Sequence, residues 1–283
     1  MSETVTDLRA LNQSRLRSFV LPREHGAWGI LLVPLVTSST VALLRGGAVV
    51  PVLLFLVAAM SLFCLRTPVE AALGTSAQHI DTPAERRVVA AAIAGYAAAA
   101  VAALAGLLWK GNNPGLLMLG AIAAFSFGVQ ALLRKLGRAT RMASQMVGLV
   151  GLTSTAAGAY YVSTGRLDLT AWMIWAANWL FAANQVHMVQ LRIRNAKVAG
   201  LRERLARGWK FLAGEILTVV LLVLFFHYRL LPKMSVVAFH PMLLRGAAWF
   251  FKKPRPLLVH RLGWMELGFA LIFGVMFVSG FLR

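Results

Sequence analysis

AVVPVLLFLVAAMSLFCL, residues 48–65, runs for eighteen residues without one charged side chain. Wound as an α-helix at about 1.5 Å per residue, it reaches nearly the roughly 30 Å of a bilayer's hydrocarbon core. Runs of similar length and character recur at 25–44, 88–109, 115–133, 142–163, 169–191, 211–228, 231–250 and 262–282. The reading is an all-α polytopic transmembrane bundle of about nine helices: a cytoplasmic segment, 1–24, precedes a single transmembrane domain, 25–283. Turn signals at Gly46-Gly47, Thr67-Pro68, Gly111-Asn112-Asn113-Pro114, Gly165 and Pro254 separate most of the runs. The run at 231–250 contains Pro241 and Arg245, and a helix broken there lines a cavity or re-enters.

Composition agrees with that reading. Hydrophobic residues make up 59% of the chain and charged ones 14%, with a mean hydropathy of +0.70. Too little polar surface remains to cover a water-exposed globule of this size. The one cysteine, Cys64, lies in an apolar run, so no disulfide framework is available. The first 22 residues mix charges with short apolar stretches and carry no small-residue cleavage site after an apolar core, so no cleavable signal peptide is expected.

A net charge of +19 would point to nucleic acid in a soluble protein. Here its distribution gives another cause. With the N-terminus inside, the cytoplasmic segments hold four, three, four, seven and five Lys and Arg residues. The other side receives six of the 29: Arg45, Lys110, Arg166, Arg229, Lys233 and Arg283. Each inside segment is richer than its outside neighbours, as membrane insertion requires. The expected address is the inner membrane, with the N-terminus cytoplasmic and the C-terminus outside. The expected partners are membrane lipids, with no nucleic acid.

Polar groups within a span cost a few kcal/mol each on insertion scales and so need a reason. One cluster, Pro22-Arg23-Glu24-His25-Gly26-Ala27-Trp28-Gly29, sits where the first helix enters the membrane. A carboxylate beside an imidazole binds a proton, a metal or a polar substrate group, and it equally serves as a solvated helix cap. A second cluster closes the sixth run. Asn184, His187, Gln190 and Arg194 fall on one helical face, with Gln185 and Arg192 beside them. That face lines either a packed interface or a polar cavity, and the basic loop after it attracts an anionic group such as phosphate. Glu215 and Glu266 lie in apolar runs, with Arg245 and His240 as candidate partners.

The opening Pro-Arg-Glu-His-Gly-Ala-Trp-Gly, the exit through Val186-His187-Met188 to Arg192-Ile193-Arg194, and the ending His260-Arg261-Leu262-Gly263-Trp264-Met265-Glu266 resemble the YwiC-like family of bacterial membrane proteins. That likeness implies the class and no reaction. A more distant likeness is to the UbiA superfamily of membrane prenyltransferases. It implies nine helices, an inside N-terminus and a cytoplasmic site fed by the loops after helices two and six. Gln185, His187 and Gly200 stand in an order comparable to the sixth-helix motif of the haem O synthase branch. The chain departs from that superfamily in its acids: Glu70, Asp81 and Glu85 lie in the first loop and only Glu203 in the second, where Asp-rich motifs would hold magnesium.

Three functions follow as expectations. One is a UbiA-like binder or transferase of an isoprenoid or other anionic-headed lipid. In it Glu24, His25 and His187 orient or activate, while Arg23, Arg86, Arg87, Asn184, Gln185, Gln190, Arg192 and Arg194 bind. The second is a proton-coupled small-molecule transporter, and the third a non-catalytic assembly factor. No metal ligand is assigned and the cofactor is unknown.

Overall fold

The computed structural model describes residues 15–22, 25–74, 76, 79–110, 114–196, 198, 200–251 and 259–282, and no β-strand occurs among them. Its helices are α1 (His25–Leu44), α2 (Val49–Ala72), α3 (Pro83–Lys110), α4 (Pro114–Lys135), α5 (Arg141–Thr153), α6 (Thr155–Thr164), α7 (Leu169–Arg194), α8 (Leu201–His227), α9 (Lys233–Val237), α10 (His240–Phe251) and α11 (Val259–Ser279). Among the described residues seven stretches are long and apolar enough to cross a membrane. They are α1, α2, α3, α4, α8, α11 and the Lys233–Phe251 stretch that holds α9 and α10. The chain is therefore a multi-pass membrane protein.

The other two expected spans are built differently. The run at 142–163 forms two helices, α5 and α6, that meet at Ser154. Three successive hydroxyls there bond back to carbonyls of α5: Thr153 to Leu149 at 2.7 Å, Ser154 to Gly151 at 2.8 Å and Thr155 to Leu152 at 2.8 Å. Such back-bonding competes with the backbone ladder and bends a helix. The run at 169–191 is one helix, α7, of 26 residues. Asn178, Asn184, Gln185, His187 and Gln190 interrupt its apolar sequence and lower its hydropathy.

Thr67-Pro68 is not a turn: Pro68 lies inside α2. One missing N–H interrupts a helix only locally. The chain turns instead at Gly74, whose φ of 66° is the left-handed geometry that ends helices. The start of α3 lies upstream of the first apolar residues because Thr82-Pro83-Ala84-Glu85 is a capping box. Glu85 N–H donates to Thr82 Oγ1 at 3.2 Å, and the Glu85 carboxylate accepts from Asp81 N–H at 2.8 Å and Thr82 N–H at 3.0 Å. Pro83 opens the helix, where its missing N–H costs nothing. Thr82→Ala is expected to cost about 1 kcal/mol, read as the shift in midpoint when the protein is unfolded in mixed micelles; an unchanged midpoint would show the cap to be idle.

The interruption expected near Pro241 is present, as the gap between α9 and α10. Proline at 241 has no N–H for the carbonyl of Val237, four residues back. His240 Nδ1 stands 3.1 Å from that oxygen and takes the role in the tautomer protonated there.

Two compact units make up the chain: residues 1–27 with 50–113, and residues 28–49 with 114–283. In the first, Phe19, Ala71 and Val89 are buried together with Ile80 and Ile93 beside them. In the second, an aromatic and aliphatic core gathers Val41, Tyr160, Ile174, Phe239, Phe273 and Phe277, with the rings of Phe181 and Phe273 stacked at 4.0 Å. Lipid tails are as apolar as these side chains, so close packing and buried hydrogen bonds hold such helices together. Ser126 on α4 accepts from Gly151 N–H on α5 at 3.1 Å, Thr37 on α1 donates to Asn178 on α7 at 3.2 Å, and Ser235 on α9 donates to the Phe277 carbonyl on α11 at 2.8 Å.

Candidate functional site

The polar face of α7 sinks from surface to interior. Arg194 is exposed, Gln190 and His187 are half-buried, and Asn184 is 7% exposed. Because a helix puts residues three and four apart on one face, this sequence makes a graded polar track one face wide. Its flank is apolar: the His187 ring meets Phe211 of α8 edge-on, centroids 5.2 Å apart.

At the deep end four helices contribute one ionic network. Asn184 of α7 donates its amide to the Glu215 carboxylate of α8. Arg245 of α10 pairs with Glu266 of α11, and its second terminal nitrogen donates to Asn184 Oδ1 at 3.4 Å. Gln185 ties the same helices from the side, donating to the Glu266 carbonyl at 2.9 Å. The Arg245 guanidinium lies 4.6 Å from the centroid of the Phe269 ring, a cation–π distance. Arg192 is near enough to feel the charges of both Glu266 and Arg245. Two arginines and two carboxyl groups thus gather in a region where unpaired charge is costly.

Satisfaction is incomplete. Arg245 Nε and Glu266 Oε1 are buried and have no hydrogen-bond partner among the described residues. The network therefore keeps one free donor and one free acceptor, where native interiors pair nearly all buried polar atoms.

The pairing expected between the late carboxylates and Arg245 or His240 resolves residue by residue. Glu266 takes Arg245, Glu215 accepts from the Asn184 amide, and His240 turns to the backbone. Gly246 was not singled out from sequence, yet it makes the network possible. A Cβ on it would lie 2.7 Å from Glu215 Oε1, so the carboxylate occupies the space that a side chain would fill. Nothing in the sequence sets Arg204 apart from its basic neighbours either. It is 4% exposed and clips the chain after α7 to the end of α10, donating to the Val198 carbonyl at 3.0 Å and the Trp249 carbonyl at 2.8 Å.

Other expected site residues fall elsewhere. Arg23 and Glu24 lie outside the described residues, as does the side chain of His25, the first residue of α1. Arg86 and Arg87 belong to the first unit, where with Asp81 and Thr82 they line a cavity of about 460 Å³. The first-loop acids are engaged by arginines: Glu70 by Arg66 at 2.7 Å, Glu85 by Arg15 at 2.7 Å, and Asp81 by Arg15 as well. Among the described residues no three of the His, Cys, Asp and Glu side chains group as a metal site requires.

Over residues 21–161 the chain matches the family model described as YwiC-like protein. The matched stretch, just under half of the chain, holds the motif at 22–29 and ends within α6, ahead of the network helices α7, α8, α10 and α11. No curated protein and no solved structure matches.

Proposed function

We propose that this membrane protein binds a lipid with an anionic head, an isoprenoid or another of that charge type, and receives the head at the basic end of α7. One observation carries the reading: a polar track graded from exposed Arg194 to buried Asn184 ends on an arginine network with a free donor. Arginine suits phosphate through planar, charge-assisted hydrogen bonds, and Arg192 with Arg194 stands at the mouth. Asn184, Gln185 and Gln190 give the track its neutral polar groups, and His187 is placed to exchange a proton with a bound head. Glu24 and His25 as activating groups, with Arg23, Arg86 and Arg87 as further head contacts, stay in the proposal on sequence grounds. So does the location, the inner membrane with the α7 exit on the cytoplasmic side, which rests on the basic-residue count.

The test is purification in mild detergent followed by mass spectrometry of bound lipid. An anionic-headed lipid is expected with the unaltered protein, reduced about tenfold or more in Arg192→Gln/Arg194→Gln, since a hydrogen bond to a charged group is worth roughly 1.5–3 kcal/mol. Equal lipid in both samples would sink the reading. A transporter is the second reading, favoured by the two carboxylates at the deep end of the track, because intramembrane carboxylates mark proton paths. Proton-driven uptake into vesicles, lost in Glu215→Gln, would support it over the first.

A further inference from the structure

At the other end of the second unit a cavity of about 380 Å³ is lined by Arg45, Thr170, Arg229, Lys233, Phe226 and Phe281, among others, with no carboxylate side chain among the described residues that line it. Thr170 is the second residue of α7 and Arg194 its last, so the two lie about 36 Å apart along the helix at 1.5 Å per residue. Its residues come from four places: the turn after α1, the start of α7, the link from α8 to α9, and the end of α11.

Three observations on this cavity go together. The count of basic residues leaves only six of 29 for this side, yet three of the six converge on one concavity. Insertion works against cations on that side, and although all three are exposed and so partly screened by solvent, their mutual repulsion falls when an anion sits between them. Among the described residues none of the three makes an ion pair, and Asp168, two residues before Thr170, caps α7 by accepting from Ala171 N–H at 3.1 Å.

The link also holds Arg229 in an unusual backbone state. Its φ is 53°, the only positive φ among described residues other than glycine. A non-glycine residue avoids that region by about 1–2 kcal/mol. The conformation is fixed on both sides: Arg229 N–H donates to the Phe226 carbonyl at 3.1 Å, Leu230 N–H to the Phe225 carbonyl at 2.8 Å, and Leu231 is buried in the core. Glycine would fit this bend without strain, and the residue present is instead an arginine that lines the cavity. Arg45 is likewise braced, its guanidinium 5.3 Å from the Phe281 centroid. Interfacial anchors that only reach for water need neither a strained backbone nor convergence on one space.

We propose that this cavity binds a phosphate group, with Arg45, Arg229 and Lys233 as its charge partners and Thr170 as a hydroxyl donor. Phe226 and Phe281 give the rim an apolar side along which a lipid tail would run. The phosphate is carried by an anionic lipid head or is free in solution, and the site is independent of the one at the exit of α7.

The experiment uses the full chain in nanodiscs of phosphatidylcholine with or without phosphatidylglycerol, read by native mass spectrometry, and titrates inorganic phosphate in parallel. Retention of phosphatidylglycerol over phosphatidylcholine identifies the lipid source, whereas saturable binding of inorganic phosphate identifies the free one. Either is expected to weaken about tenfold or more in Arg45→Gln/Lys233→Gln and in Arg229→Gly, and to weaken with salt. Arg229→Gly keeps the backbone turn while removing the charge, so it separates lost binding from lost folding. The cavity variants are compared in the Arg192→Gln/Arg194→Gln background, so that lipid held at the exit of α7 does not enter the measurement. Equal retention of both lipids with no phosphate binding, or the same affinity in the two cavity variants, would overturn the proposal.

Discussion

Arg245→Met is expected to lower stability by about 3–5 kcal/mol, the usual cost of removing one partner from a buried ion pair. The physical basis is local. Arg245 is 9% exposed, pairs with Glu266, donates to Asn184 Oδ1 and lies over the Phe269 ring. Methionine fills similar space without charge, so Glu266 is left as an acid among apolar helices. Gln185 does not replace the cation, since it reaches the Glu266 carbonyl and not its carboxylate. Removing both charges should hurt much less: Arg245→Met/Glu266→Met has no stranded ion, and well-packed apolar replacements of buried pairs are often near neutral. A double-mutant cycle in mixed micelles tests this. If the single variant loses under 1 kcal/mol, or the double loses the sum of the two singles, the pair is not a coupled buried unit.

That pair was half legible in the sequence. Two glutamates and an arginine inside apolar runs need partners, because lipid supplies none. Which carboxylate takes the arginine was not legible, since residues 215, 245 and 266 are separated by whole helices and hydropathy carries no crossing angle. The break near Pro241 was readable for a simpler reason: a missing N–H is a property of one residue and acts four residues away. Helix extents were harder. The capping box at Thr82-Pro83-Ala84-Glu85 is visible in the letters, but a reading led by apolar runs begins α3 only at the first valines and passes over it. The break at Ser154 was equally hidden, because three hydroxyls in an apolar run look like ordinary membrane-helix residues until their bonds are seen. The α7 stripe was legible as a face by its spacing of three and four. Its slope from surface to interior depends on what packs against each turn, and only the fold supplies that.

Gly246 is the residue whose role sequence gave no means of seeing, and it yields the second large expected effect. Gly246→Val should destabilise the protein by about 1–3 kcal/mol, the range for forcing extra carbons into a packed interior. A Cβ there would lie 2.7 Å from Glu215 Oε1 and 2.8 Å from its carboxyl carbon, so the carboxylate has to move. The end of a glutamate is flexible, and on a surface the shift would be cheap. Here Glu215 is buried and held by the Asn184 amide, so moving it breaks that bond and unsettles the acceptor of Arg245. A suppressor separates this cause from a general intolerance of side chains in α10. Gly246→Ala in a Glu215→Ala background removes the group that the new methyl meets, so the pair should be less destabilising than the sum of the singles by about 0.5 kcal/mol or more. Strict additivity would mean that Gly246 is kept for some other contact, and the assignment of its space to the Glu215 carboxylate would have to be given up.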